Sequence, residues 1–146
     1  MSVDGVIKVR VLRAGARVPA RATESASGFD IAACFEGEPL RLSQSPTLVP
    51  TGIALEVPRG LDAQIRPRSG LARHGVLATY GTLDADYRGE VFIALYTTSP
   101  AVDYLVHDGD RIAQLVVARL ADVGFEAVEA LSATARGDGG HGSTGR

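Results

Sequence analysis

The sequence predicts an all-β domain, an antiparallel sandwich or barrel, on three observations. Short apolar segments recur throughout, Gly, Pro and Asp turns separate them, and no long helical stripe runs along the chain. No repeat of fixed period is present, and 146 residues suffice for one ordinary core, so a single domain is expected.

Taken in order, Val6-Ile-Lys-Val-Arg-Val-Leu sets Ile7, Val9 and Val11 on one side and Lys8 and Arg10 on the other, the period of a half-buried strand. Residues 14 to 27 hold no sustained apolar period and include Pro19, so a surface connection is expected. Gly28-Phe-Asp-Ile-Ala-Ala-Cys then enters the body. Its Asp30 is either an edge or turn carboxylate held by backbone N–H groups, or one turned toward a metal and substrate. Gly52-Ile-Ala-Leu-Glu-Val-Pro alternates again, and Pro58-Arg-Gly turns the chain into Leu61-Asp-Ala-Gln-Ile-Arg, giving two strands and a turn. Val91-Phe-Ile-Ala-Leu-Tyr is apolar on both faces, as expected of a strand covered by a second sheet or another subunit. In Arg111-Ile-Ala-Gln-Leu-Val-Val-Ala-Arg-Leu, Ile112, Leu115, Val116 and Leu120 also fit one helical face; the Asp108-Gly109 turn ahead of them and the paired valines favour a strand. Gly124-Phe-Glu-Ala-Val-Glu-Ala-Leu carries the same ambiguity. The glycine-rich end, Arg136 to Arg146, has too little apolar surface to order itself alone, which separates a 1–135 sandwich domain from a 136–146 tail.

A net charge of −2, from 15 basic and 17 acidic residues, argues against a nucleic-acid-binding surface or a polybasic membrane contact. Lys8 is the only lysine, so the positive charge is almost wholly arginine, the side chain that grips phosphate through a planar fork. Cys34 is the only cysteine, which excludes an intrachain disulfide and an all-cysteine metal site; its apolar surroundings predict a buried, inert thiol. Met1-Ser-Val-Asp-Gly lacks the build of a signal peptide and no apolar run approaches a membrane span, so a soluble cytoplasmic protein is expected.

The chemistry concentrates between Arg66 and Glu90. Arg66-Pro-Arg-Ser-Gly-Leu-Ala places a guanidinium beside a hydroxyl and a glycine, which suits phosphate oxygens because glycine lets backbone N–H groups approach. Read alone, Pro-Arg-Ser-Gly is better explained as turn chemistry that suits any protein. Gly81-Thr-Leu-Asp-Ala-Asp-Tyr-Arg-Gly-Glu brings carboxylates, an aromatic ring and a base within a few residues, and read alone it is also a plain hairpin connection. The conjunction of these segments with others along the chain is what favours a reaction centre.

Five segments in order, Ser27-Gly-Phe-Asp-Ile, Arg66-Pro-Arg-Ser-Gly-Leu-Ala, Gly81-Thr-Leu-Asp-Ala-Asp-Tyr-Arg-Gly-Glu, Gly109-Asp-Arg-Ile-Ala-Gln-Leu and Arg136-Gly-Asp-Gly-Gly-His-Gly-Ser-Thr-Gly, resemble the five motifs of the trimeric deoxyuridine triphosphatases (dUTPases). The resemblance implies a distorted jelly-roll β-sandwich assembled as a homotrimer, with the tail of one subunit closing an active site built by its neighbours. It implies magnesium-dependent hydrolysis of dUTP to dUMP and pyrophosphate, which limits uracil in DNA and supplies dUMP for thymidylate synthesis. By motif position, Asp84 would activate the water attacking the α-phosphorus, and Arg68, Ser69, Gly70 and Gln114 would hold phosphates, with Ser69 near the α–β bridge. Arg136 would reach the γ-phosphate, and Asp30 would support the metal through water, with the triphosphate as its direct ligand. The hairpin of Gly81, Thr82 and Leu83 would read the uracil edge through its backbone, Tyr87 would lie under the sugar and exclude a 2′-hydroxyl, and Phe92 would line the same pocket. His141, beside Gly142, stands where many members carry a stacking phenylalanine, so base affinity there is expected to vary with pH. His74 and His107 have no spaced His/Cys set around them and are expected to be local hydrogen-bonding or surface residues. The competing readings are a dCTP deaminase of the same fold, which calls for a glutamate at the position of Asp84, and a non-catalytic trimeric β-sandwich that uses its tail to bind a protein.

Overall fold

The computed structural model describes residues 5–140. Its elements are β1 (Lys8–Val11), β2 (Gly28–Ala32), β3 (Leu40–Arg41), β4 (Thr47–Glu56), β5 (Leu61–Arg66), α1 (Ser69–Arg73), β6 (Val76–Ala78), β7 (Gly81–Leu83), β8 (Glu90–Thr97), β9 (Leu105–Val106) and β10 (Arg111–Arg119). They build two four-stranded antiparallel sheets, ordered β1-β4-β8-β6 and β2-β10-β5-β7, with β3 and β9 as a separate pair. The non-sequential strand order is that of a distorted jelly-roll sandwich, the architecture the family resemblance implied.

Both sheets feed one core. Val49, Ile53 and Leu55 of β4 and Val91, Ile93 and Leu95 of β8 meet Ile31 of β2, Ala63 and Ile65 of β5, and Ile112 and Leu115 of β10. The period of two explains why β8 buries Val91, Ile93, Leu95 and Thr97 while Phe92, between them, is 47% exposed. The apolar second face of β8 is therefore only partly covered within one chain. Segment 111–119 is a strand, as the Asp-Gly turn ahead of it favoured, and residues 14–27 are the expected surface connection, meeting β2 at the bridge from Ala20 to Asp30 and where the Arg21 guanidinium lies 4.4 Å over the Phe29 ring. Val11 differs from expectation: it lies at the end of an edge strand and is 51% exposed despite its place on the apolar side of β1.

A bulge interrupts β4 beside the N-terminal segment. The β4/β8 register slips between Pro50 and Ala54, and within the slip Gly52 adopts φ +68°. Glycine is required there twice over, because a Cβ would also stand 2.8 Å from Ala16 Cβ and 3.1 Å from Cys34 Sγ. Cys34 itself is buried, as expected. The packed body closes at Leu120, whose N–H donates to Gly60 C=O at 2.9 Å. Beyond it, residues 121–138 form an exposed strap without regular structure, on which Phe125 and Leu131 are almost wholly open to solvent.

Candidate functional site

The residues singled out in the sequence gather into two groups, and β5 connects them. At its C-terminal end, Arg66 stands opposite Gln114 of β10, which in turn stands opposite Asp30 of β2. Three of the five segments thus meet across three adjacent strands. The chain leaves β5 through Pro67, whose carbonyl accepts Gln114 Nε2–H at 2.8 Å. Gly28 makes this possible, since a methyl there would collide with the Gln114 amide. Arg68 caps the N-terminus of α1 in extended conformation, with Nε 3.2 Å from Asp30 Oδ1 and Nη1–H donating to Arg111 C=O at 2.8 Å. Arg111 closes the ring, Nη1 lying 3.1 Å from Asp30 Oδ2. Asp30 is therefore neither of the simple alternatives the sequence left open: its carboxylate is flanked by two guanidinium groups.

This cluster carries one negative and two positive charges, so its balance favours an anion, and Arg68 commits only part of its donor fork to the protein. Ser69 and Gly70 follow at the exposed start of α1. A Cβ on Gly70 would meet nothing in the chain within 4 Å and its φ is not positive, so the fold itself does not require glycine there. Close approach of something outside the chain would.

The second group lines a cleft of about 350 Å³ between β7 and β8. Gly81, Thr82, Leu83, Asp84, Tyr87 and Phe92 all border it. β7 is placed by β5, with Gly81 opposite Ile65 and Leu83 opposite Ala63. Asp84 then opens a turn closed by Tyr87 N–H to Asp84 C=O at 3.0 Å, and Arg88 Nη1 donates back to Ala85 and Tyr87 carbonyls. Asp84 is exposed and faces the cleft rather than being engaged in an internal ion pair. Because Leu83 pairs three residues back along β5 from Arg66, Asp84 lies about 13 Å down the strand from the arginine cluster, at ~3.3 Å per residue.

Arg136 lies on the exposed strap, its Nε–H donating to Gly139 C=O at 2.8 Å. His141 and Gly142 fall outside the described residues. His74 ends α1, its backbone N–H on Leu71 C=O, and His107 lies 3.7 Å from Asp110; both are exposed local residues, as expected. Among the described residues no group of three or more His, Cys, Asp or Glu is arranged to hold a metal ion, and both Asp30 oxygens face guanidinium groups. The described residues therefore build no cation cage of their own, and the Asp30 carboxylate serves the two guanidinium groups.

Two features escaped the sequence. Arg111 falls within Gly109-Asp-Arg-Ile-Ala-Gln-Leu, and its pairing with Asp30 joins positions 81 residues apart. Arg13, outside every segment, forks onto Glu90 across 77 residues. Arg13 holds the Glu90 carboxyl below its ordinary value of 4.5, against the opposing effect of burial, with help from the Gly52 N–H. Neither pairing left a local signal, since an arginine in a polar stretch looks the same whether solvated or bonded.

A family model described as dUTPase matches residues 14–145. A deoxyuridine 5'-triphosphate nucleotidohydrolase of Syntrophotalea carbinolica is 48% identical over 142 residues, covering 95% of this chain and 96% of that protein. Among solved structures, a mutant dUTPase of phage 80alpha matches with a TM-score of 0.85 at 23% identity, over 97% of this chain and 99% of that one. The 80alpha dUTPase solved with dUPNHPP gives 0.83 at 24% identity, with the same coverage. A mutant dUTPase of the S. aureus phage phi11, solved to describe coordination of a structural Mg(II) ion, gives 0.78 at 22% identity, over 88% of this chain and all of that one. At such identities the structures speak to a common fold; the family match and the 48% identical relative speak to ancestry, and by them the chain belongs to the dUTPase family.

Proposed function

We propose that this chain hydrolyses dUTP to dUMP and pyrophosphate by attack of water on the α-phosphorus. The observation that carries the reading is its 48% identity, along 95% of its length, to a protein named for that reaction. The arrangement of side chains suits it. The Asp84 carboxylate, exposed at the mouth of the cleft, is free to orient a water and take its proton. Arg68, with Ser69 and Gly70 beside it and Gln114 behind it, supplies donors to phosphate oxygens from the electropositive cluster, and Asp30 holds the two guanidinium groups in place. Magnesium, bound with the triphosphate, would offset part of its charge. Gly81, Thr82 and Leu83 offer backbone groups to the uracil edge, Tyr87 lies under the sugar, and Phe92 lines the wall. Arg136 reaches the γ-phosphate when the tail closes, with His141 and Gly142 over the base.

The reading includes a homotrimer whose sites are shared. Its support is threefold: Asp84 and the arginine cluster lie too far apart along β5 to meet on one phosphorus within one chain, the outer face around Leu48 and Phe92 is apolar and open, and the strap carries exposed Phe125 and Leu131. Among the described residues no helix is long and apolar enough to cross a membrane; a cytoplasmic site of action belongs to the proposal.

A turnover panel tests it: pyrophosphate release from dUTP, dTTP, dCTP and UTP, each with magnesium and with a chelator. Release from dUTP alone, dependent on magnesium, is expected. An uncleaved dUTP pool sinks the reading, and ammonia from dCTP would transfer it to the deaminases.

A further inference from the structure

Glu90 occupies the point where the Asp84–Gly89 turn rejoins the sandwich. Its carboxylate accepts both terminal nitrogens of Arg13, at 2.6 and 2.7 Å, in a bidentate fork, and Oε1 also accepts the Gly52 N–H of the β4 bulge at 2.8 Å. Arg13 Nη1 further donates to Cys34 C=O at 3.1 Å. One ion pair thus ties the N-terminal segment, the bulge and the root of the turn into a single knot. The Glu90 main chain then serves the turn directly: its carbonyl accepts the Tyr87 hydroxyl at 2.9 Å. The phenol folds back over Gly89, where a methyl group would collide with it.

The Tyr87 ring is 44% exposed, so packing alone does not fix its plane. What fixes it is the hydroxyl tether, and the tether is as rigid as the carbonyl that receives it. Exclusion of a single extra oxygen from a sugar depends on placing a wall to within a fraction of an ångström, and a misplacement near 1 Å typically changes rates by about 10²-fold. A bidentate guanidinium–carboxylate pair supplies such placement better than a lone hydrogen bond, because it sets orientation as well as distance.

We infer that Arg13 and Glu90 are positioning residues for sugar selection, acting through Tyr87 to keep ribonucleotides out. This rests on the reading of Tyr87 as the sugar-facing residue. It gives the N-terminal segment a role beyond covering the edge of a sheet.

The test is the ratio of kcat/KM for dUTP over UTP, measured with melting temperature in Arg13→Gln, Arg13→Lys, Glu90→Gln and the control Tyr87→Ala. The ratio is expected to fall by about tenfold or more in Arg13→Gln and Glu90→Gln. In Arg13→Lys, which keeps the charge and loses the fork, it is expected to fall by less. A ratio within twofold of the parent in these variants, whatever their melting temperature, reduces the pair to a structural brace and overturns the inference. An unchanged ratio in Tyr87→Ala removes the sugar-facing role of Tyr87, and the inference falls with it; a narrowed ratio there beside unchanged clamp variants leaves that role standing and rejects only the clamp. Should the glutamine variants fail to fold, Arg13→Lys carries the decision.

Discussion

Asp84 and Glu90 lie six positions apart in one segment, yet their surroundings assign them opposite work. Asp84 is exposed at the cleft, and Asp84→Asn is expected to retain nucleotide binding by calorimetry while turnover falls by about 10²-fold or more. Turnover close to the parent would take Asp84 out of the chemistry. Glu90 is enclosed by Arg13 and the Gly52 N–H, and its depressed pKa carries a stability consequence of definite sign. Because the folded value lies below the unfolded one, the contribution is present above about pH 4.5 and is lost as pH falls through the folded value. Melting curves from pH 6 to pH 3 are therefore expected to show the parent losing its advantage over Glu90→Gln toward the acid end; a constant gap would contradict this. The sequence exposed the first of these residues and hid the second. Asp84 sits in a segment that the conjunction with four others marks as a reaction centre, whereas the partner of Glu90 arrives from 77 residues away, through a fold no local pattern encodes.

Elements differ in the same way. β5, β8 and β10 were legible because each is six residues or longer, enough for alternation or β-branched runs to register. β3, β6, β7 and β9 are two or three residues long, too short to carry a period, and exist because longer neighbours or each other offer hydrogen bonds. α1 was hidden behind Pro-Arg-Ser-Gly, a string that suits a turn as well as one turn of helix. The ambiguity at 124–131 resolved into neither strand nor helix, since among the described residues no strand or helix pairs with that stretch to fix either. The β4 bulge depends on a single conformation, so Gly52→Ala is expected to destabilise the fold by about 2 kcal/mol or more, from positive φ together with contact on Ala16 and Cys34. Urea unfolding measures it, and a loss below about 0.5 kcal/mol would mean the bulge can relax.

For the whole molecule, the decisive contrast is between a sandwich whose core is enclosed and a strap whose apolar side chains are not. The core from Ile31 to Leu115 closes within one chain, while Phe125 and Leu131 are uncovered among the described residues. Truncation after Ala135 is expected to leave an assembled, folded protein by light scattering with turnover reduced at least about tenfold, through loss of Arg136 and of closure over the phosphates. Unchanged kinetics would make the last residues an idle end. Mixing that truncation with Asp84→Asn and refolding the two together is expected to restore part of the activity that each lacks, since an intact tail and an intact cleft then meet in some of the sites.

The outward-lying strap bears on inheritance as well as on catalysis. Under the proposed sharing of sites, a shortened chain would leave one neighbouring cleft unserved while its own cleft could still be completed by an intact tail, so in a cell with one sound and one shortened copy of the gene the complete sites would number the intact tails. Loss of the last few codons would then lower activity in proportion to the shortened chains, and an allele with a damaged cleft but a sound tail could complement it.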